Sequence, residues 1–260
     1  MEKFKISTSK IVLLNFPVHI IRMNELIGYC EQAIENRSAI VLGMLNVAKI
    51  VNGRKDKQLH ESILKSDLVA ADGKGVVWLS HLVGKPLPER IAGIDVMQKL
   101  MELANSKGYK VYFLGARLDV VQEVIKKTEA LFPNIKIAGY SDGYFDLEKD
   151  GQRIAENIRD CHADILFVAI TPPKKELFIE RWSNTMSVPI CHGVGGSFDV
   201  FTGRTKRAPQ WMQNIGLEWL YRVIQEPKRM WKRYLVTNTI FVFLSIYEIF
   251  ITRLKIKNRR

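Results

Sequence analysis

What most constrains this chain is a rhythm. Short apolar runs, Ala39 to Leu45, Leu68 to Ala71, Tyr109 to Leu114, Ile135 to Tyr140, Asp164 to Ile170 and Val188 to His192, end in glycine, proline or a polar residue, and stretches with helical spacing separate them. Runs that are apolar throughout suit strands buried on both faces. Strands separated by helices at this spacing predict α/β architecture: a mostly parallel, Rossmann-like sheet with helices on both faces. An earlier strand is expected over Lys10 to Phe16, and a helix over Met23 to Asn36 with Asn24 as its N-cap. At 260 residues, 47% of them hydrophobic, the chain can bury one sizeable core and still carry an appendage.

In an open α/β sheet ligands bind beyond the carboxyl ends of the strands, so the residue after each apolar run is a candidate. Asn46 follows the first run; it can touch a ligand or simply cap the helix that begins at Val47. Asp72 follows the second, beside Gly73 and Gly75, and is the candidate catalytic base; the alternative is again an N-cap. The proline-rich loop from Lys85 to Ile94 carries Glu89 and Arg90, and loops of this kind hold functional residues more often than cores do. Tyr140 and Tyr144 flank the glycine of the loop Ser141 to Phe145, where either can stack on a base or a sugar or pack against the body. Beyond Asp164 to Ile170, Thr171 and two prolines break the strand, and Lys174, Lys175 and Glu176 open a helix.

The densest block is Gly193 to Tyr234. Gly193, Gly195 and Gly196 follow an apolar run and let backbone N–H groups approach an anion closely. Asp199, Arg204, Lys206 and Arg207 come next, then Pro209 at an expected helix N1, and a helix expected over Trp211 to Gln225. Together they suit a nucleotide diphosphate; a glycine turn with solvated basic residues is the plainer alternative. The chain has no Asp-x-Asp pair to hold a metal against such a diphosphate, whereas Lys206, Arg207, Arg222 and Arg229 can supply the charge. Cys161-His162 and Cys191-His192 have no usual zinc spacing, so neither a metal nor a cofactor is expected. A dinucleotide-dependent oxidoreductase would need G-x-G-x-x-G after an early strand, with an acidic residue about 20 positions on, and neither is present.

Charge is concentrated at one end. Of a net +12, the last 39 residues carry ten Lys or Arg against two Glu. These cations bracket the apolar run Leu235 to Thr252, which is about the shortest length that spans a bilayer and contains Glu248. Basic flanks on both sides oppose a crossing and favour a helix lying in the headgroups of an anionic membrane; packing on the body or on another subunit is the alternative. Nucleic acid is not the expected partner, because its cations would share a face with stacking aromatics. The expected division is therefore an α/β catalytic domain over residues 1–208 and a helical appendage over 209–260, with 235–260 associating with membrane. Three cysteines without a disulfide pattern, and an N-terminus without an apolar signal core, suggest the cytoplasm.

Several separated motifs taken together resemble the WecG/TagA/CpsF family of bacterial glycosyltransferases over about Ala39 to Tyr234. They are ADGKGVV with Asp72, PERIAGIDV with Arg90, FLGAR, GYSDGYF, TPPKKE, GVGGSFDVFTGRTKRAP and GLEWLYRVIQEPKR. The resemblance implies an inverting, metal-independent transfer of a sugar, such as N-acetylmannosamine, its uronic acid or a hexose. The donor would be a UDP-sugar and the acceptor a polyprenyl-diphosphate-linked saccharide, at the cytoplasmic face of the bacterial inner membrane. It also implies Asp72 as general base, Asn46 and Arg90 as active-site polar residues, Asp199 as a donor contact, and Arg222 and Arg229 as cations closing over the diphosphate. Met44 stands where the family usually has Thr and Lys175 where it usually has Gln, both in the expected sugar pocket. A nucleotide-sugar-modifying enzyme and a basic nucleic-acid- or membrane-binding module are the other classes the same turns and charges allow.

Overall fold

The computed structural model describes residues 1–257, so Arg259 and Arg260 of the basic flank lie outside the described residues. The first two elements correct an expectation. Lys10 to Phe16 is not one strand: β1 (Lys10–Leu13) and β2 (Phe16–His19) form an antiparallel hairpin in which Leu13 faces Phe16. Leu14 and Asn15 at the tip have φ of 50° and 70°, the left-handed pair that a two-residue hairpin requires. In α1 (Met23–Glu35), Asn24 lies inside the first turn and does not cap it. Two carboxylates take the free amides instead, Glu25 accepting from Arg22 N at 2.7 Å and Glu89 from Met23 N at 2.6 Å.

The central sheet is built from β3 (Ile40–Leu45), β4 (Leu68–Ala71), β5 (Lys110–Gly115), β6 (Lys136–Ser141), β7 (Ile165–Ala169) and β8 (Ile190–Gly193). All six strands are parallel, in the order β4-β3-β8-β7-β5-β6. Their side chains divide by the two-residue period of a strand. Val111, Phe113, Ile165 and Phe167 pack with α1, α5 (Gly93–Lys107), α6 (Leu118–Leu131) and α9 (Ser197–Thr202); Tyr112, Leu114, Leu166 and Val168 pack with α7 (Leu147–Asp160) and α8 (Lys174–Met186). A third apolar group, under the β4 end, gathers the hairpin, α2 (Val47–Gly53), α3 (Lys57–Lys65) and α4 (Lys74–Leu82).

Gly115 ends β5 where backbone from β7 comes closest. Its φ is 126°, and a Cβ there would lie 2.5 Å from the carbonyl carbon and oxygen of Ala169. Gly115→Ala is therefore expected to destabilise the fold by about 3 kcal/mol or more, measured as a lowered denaturant midpoint. Movement of these strand ends would also disturb the cleft they line.

The helix expected over Trp211 to Gln225 is two helices, α10 (Gln210–Asn214) and α11 (Glu218–Gln225), with Pro209 at the N-cap position and not at N1. Gly216, at φ 70°, makes the break, and a side chain there would meet Lys74 and Trp78 of α4. The tail is longer than its apolar run. Helix α12 covers Pro227–Lys257, 31 residues, or roughly 46 Å at the usual rise. One side of it, with Phe241, Ile240, Leu244 and Ile249, packs on the apolar group around α2 and α4. The other leaves Leu235, Val242, Phe243, Ile246, Tyr247 and Phe250 exposed.

Candidate active site

The carboxyl ends of five strands line one cleft, a cavity of about 720 Å³. Asn46 comes from the end of β3, Asp72 from β4, Ala116 and Arg117 from β5, Ala169 to Pro172 from β7, and Gly193 to Ser197 from β8. The sheet topology gathers them, because parallel strands all end on the same side.

Asp72 and Asn46 form its acidic corner. Asp72 N donates to Leu45 O at 2.8 Å, which ties the end of β4 to the end of β3. The N-cap alternative for Asp72 does not hold, since Gly73 occupies that position in α4 and no side chain caps it. The carboxylate is thus left for the cleft. Asn46 does cap its helix: Oδ1 accepts from Lys49 N at 3.0 Å, which turns Nδ2 towards Asp72 Oδ2 at 3.5 Å. One side chain both starts α2 and faces the acid.

The glycine turn after β8 presents donors. Val194 N donates to Val168 O and Ser197 N to Val194 O, leaving Gly195 and Gly196 amides without a protein acceptor among the described residues. Gly195 has φ 55°, a conformation that suits glycine. Asp199, on α9, lines the same cavity, as do Lys206, Arg207, Arg222, Arg229 and Arg233.

These cations are not equally available. Arg207 makes a bidentate pair with Asp95 at 2.6 and 2.8 Å, and Arg229 pairs with Glu226 at 2.7 Å. Lys206, Arg222 and Arg233 make no ion pair among the described residues. The backbone of Lys206 is clasped by the amide of Gln225, through its N and O at 3.0 Å each. Arg229 and Arg233 stand on the first turns of α12, so the helix with the exposed apolar face also forms part of the cleft rim.

Two expected site residues sit elsewhere. The side chain of Arg90 is buried, and Arg90 does not line the cleft; it pairs with Glu218 at 2.9 Å, with Asp95 at 3.9 Å, and donates to Gln213 O at 3.5 Å. With Arg207 these contacts bind the loop before α5 to α10 and α11, so Arg90 holds the cationic cover in place. Tyr140 remains within the edge strand β6, outside the cleft, because only the loop beyond it projects past the sheet. Tyr144 is the tyrosine at the rim. Its loop is fixed by Gly143 N to Ala116 O at 2.8 Å, and by Lys174, which donates to Gly143 O at 3.1 Å and to Phe145 O.

Lys175 is buried in the cleft wall, its stem lying across Gly193. Lys49 and Arg233 also line the cleft and stand outside every motif, and Arg117 lines it as the last residue of FLGAR, where no role was expected of it. Arg117 was within reach of the strand-end argument, standing two residues past β5, and Lys49 is one turn beyond Asn46 on α2. His192 is buried among apolar groups: burial pushes it down to about 4, Nε2 bonds Gly93 O at 2.9 Å, and Nδ1 has no partner among the described residues. Cys191 beside it is raised by burial, so neither residue acts as an accessible nucleophile or acid near neutral pH. Among the described residues no three His, Cys, Asp or Glu side chains gather to hold a metal ion.

The arrangement can perform one kind of work well. A carboxylate at one corner can accept a proton, while glycine amides and cations of the same cleft can stabilise negative charge on a departing group. Comparison with known sequences gives the family. The profile of "Glycosyl transferase WecG/TagA/CpsF family" matches residues 11–255. Similar proteins include an N-acetylglucosaminyldiphosphoundecaprenol N-acetyl-beta-D-mannosaminyltransferase of Bacillus subtilis (strain 168), 38% identical over 222 residues, 85% of each chain. Proteins of the same name from Bacillus spizizenii (43% over 177 residues, 68% of this chain and 67% of that one) and Staphylococcus aureus strain MW2 (31% over 256 residues, 98% and 97%) also match. With a family match over nearly its whole length and these relatives, the chain belongs to the WecG/TagA/CpsF family of glycosyltransferases.

Proposed function

We propose that this enzyme transfers a sugar from a UDP-sugar to a polyprenyl-diphosphate-linked saccharide during synthesis of a bacterial cell-surface polysaccharide, with inversion and without a metal ion. The observation that carries this is the cleft itself: an uncapped carboxylate, Asp72, shares it with glycine amides and with cations borne on the helix that presents the apolar face. Asp72 takes the proton from the acceptor hydroxyl, whose oxygen attacks the anomeric carbon from the side opposite the diphosphate. The bond from that carbon to the diphosphate breaks, and UDP leaves with the electron pair; a single displacement of this kind inverts the centre. Gly195, Gly196, Lys206, Arg222, Arg229 and Arg233 receive the charge on UDP. Gly193 lets the turn pass close, Asp199 contacts the donor, and Tyr144 stacks on it in place of Tyr140. Asn46 orients Asp72, and Arg90 and Arg207 brace the cover.

The relatives' names contain an N-acetylmannosaminyl group and an N-acetylglucosaminyl diphosphoundecaprenol, so these define the first donor and acceptor to test. In this proposal residues 1–208 are the catalytic body and 209–260 the appendage that brings it to the cytoplasmic face of the inner membrane. Purified protein titrated with a panel of UDP-sugars, and scored for donor binding and slow hydrolysis without acceptor, tests the donor class. Transfer is expected to be unchanged by chelator, because the cations occupy the metal's role. Loss of activity in EDTA with recovery in Mg²⁺ or Mn²⁺ would refute the metal-free mechanism.

A further inference from the structure

Three ionisable side chains, two of them buried and the third half-buried, stand together in the cleft wall without a part in the steps above. Lys175 and Glu176 open α8 just past β7, and Lys49 reaches in from α2. Lys175 Nζ lies 2.9 Å from Glu176 Oε1, and Lys49 Nζ lies 3.2 Å from the same oxygen. Their side chains are only 6%, 8% and 14% exposed for Lys175, Glu176 and Lys49, so water neutralises little of their charge. Two ammonium groups share one carboxylate, which leaves one positive charge in excess in a place where unpaired charge is costly. Among the described residues no other acid beside them is spare. Asp72 faces Lys175 from the end of β4 but is needed as the base, and His192 on β8 is neutral. On the far side Lys3 pairs with Asp67 and Lys65 with Glu180.

Geometry directs this surplus at the ligand. Lys49 and Lys175 both line the cavity that holds Asp72. The Lys175 stem lies where a Cβ on Gly193 would come within 2.8 Å of it, so the glycine that opens the anion-binding turn also makes room for this ammonium. We propose that Lys175 is an anion-recognising residue of the donor subsite, with Lys49 and Glu176 as its positioning residues. Its ammonium donates to an anionic oxygen of the donor, supplied by the diphosphate or by an acidic group on the transferred sugar. This rests on the donor being a UDP-sugar.

Burial first, and then the charge on Lys49, push Lys175 down to about 8. The ammonium form is thus complete well below that pH and is lost as pH rises through it; affinity for the recognised anion falls over the same window. Removing Lys49 takes away a like charge and moves the fall to higher pH, whereas removing the charge of Glu176 moves it lower.

Calorimetric titration of the full chain with UDP, a UDP-N-acetylhexosamine and a UDP-hexuronate, above about pH 7 where a terminal phosphate is already ionised, tests this. Wild type is expected to lose affinity through about pH 8, and Lys175→Gln to bind about tenfold or more weakly at neutral pH with that pH dependence gone. If UDP itself shows both effects, the anion is the diphosphate; if only the hexuronate does, it is the sugar's acid. Lys49→Met and Glu176→Gln should shift the fall in opposite directions, which a merely structural role would not produce; if Glu176→Gln does not fold, the upward shift in Lys49→Met carries the test. Lys175→Gln that binds all three ligands with wild-type affinity and pH dependence would overturn the proposal. Wild type that binds none of them would instead overturn the UDP-sugar reading on which it rests.

Discussion

Asp72→Asn is expected to slow sugar transfer by at least about a hundredfold, the usual scale for a lost general base, while leaving the fold and UDP-sugar binding intact. The substitution preserves shape. The new side-chain amide keeps a carbonyl oxygen for Nδ2 of Asn46, and the main-chain bond from N of residue 72 to Leu45 O does not depend on the side chain. No helix loses a cap, because Gly73, not Asp72, stands at the start of α4. What changes is the capacity to accept a proton from the acceptor hydroxyl. The measurement is single-turnover transfer with donor affinity determined in parallel. Near-normal transfer would remove Asp72 from the proton step.

Ending the chain after Tyr234 is expected to release the protein from anionic vesicles and to lower transfer to long-chain lipid acceptor by at least about tenfold. Transfer to a short, water-soluble acceptor should fall less. The proposed acceptor, anchored by a polyprenyl chain, stays at the bilayer, so the cleft must come to the headgroups. Helix α12 has the means, with Leu235, Val242, Phe243, Ile246, Tyr247 and Phe250 exposed along it and Arg229 and Arg233 at the cleft rim. On this proposal the membrane contact and two of the cations at the cleft rim belong to one helix. Truncation also removes Phe241, which packs on the apolar group around α2 and α4, so some loss of stability is expected with it. A full-length variant carrying Phe243→Ser, Ile246→Ser and Phe250→Ser keeps that packing side and should reproduce the release. Vesicle binding and full lipid-acceptor activity in that variant would make the exposed face something other than a membrane contact.

The sequence by itself determined the layered architecture and the positions where chemistry could stand. Uninterrupted apolar runs fit strands covered on both faces, and the helical stretches between them favour parallel neighbours, so strand ends such as Asn46, Asp72 and Gly193 are marked by pattern alone. Local pattern failed where a single residue's backbone state decided the outcome, as at Leu14–Asn15 and at Gly216. Only the tertiary structure decided what each charged side chain does, because that depends on partners far away in the chain. Arg90 and Arg207 are taken up by Asp95 and Glu218, Glu89 closes the start of α1, and Tyr140 is held back in the edge strand. Lys49 lies 127 residues from Glu176 in sequence, and only the fold, which lets the Lys49 side chain reach from α2 to the start of α8, places two lysines on one buried carboxylate. A charge surplus of that kind is a sum over neighbours in space, which no window along the chain contains.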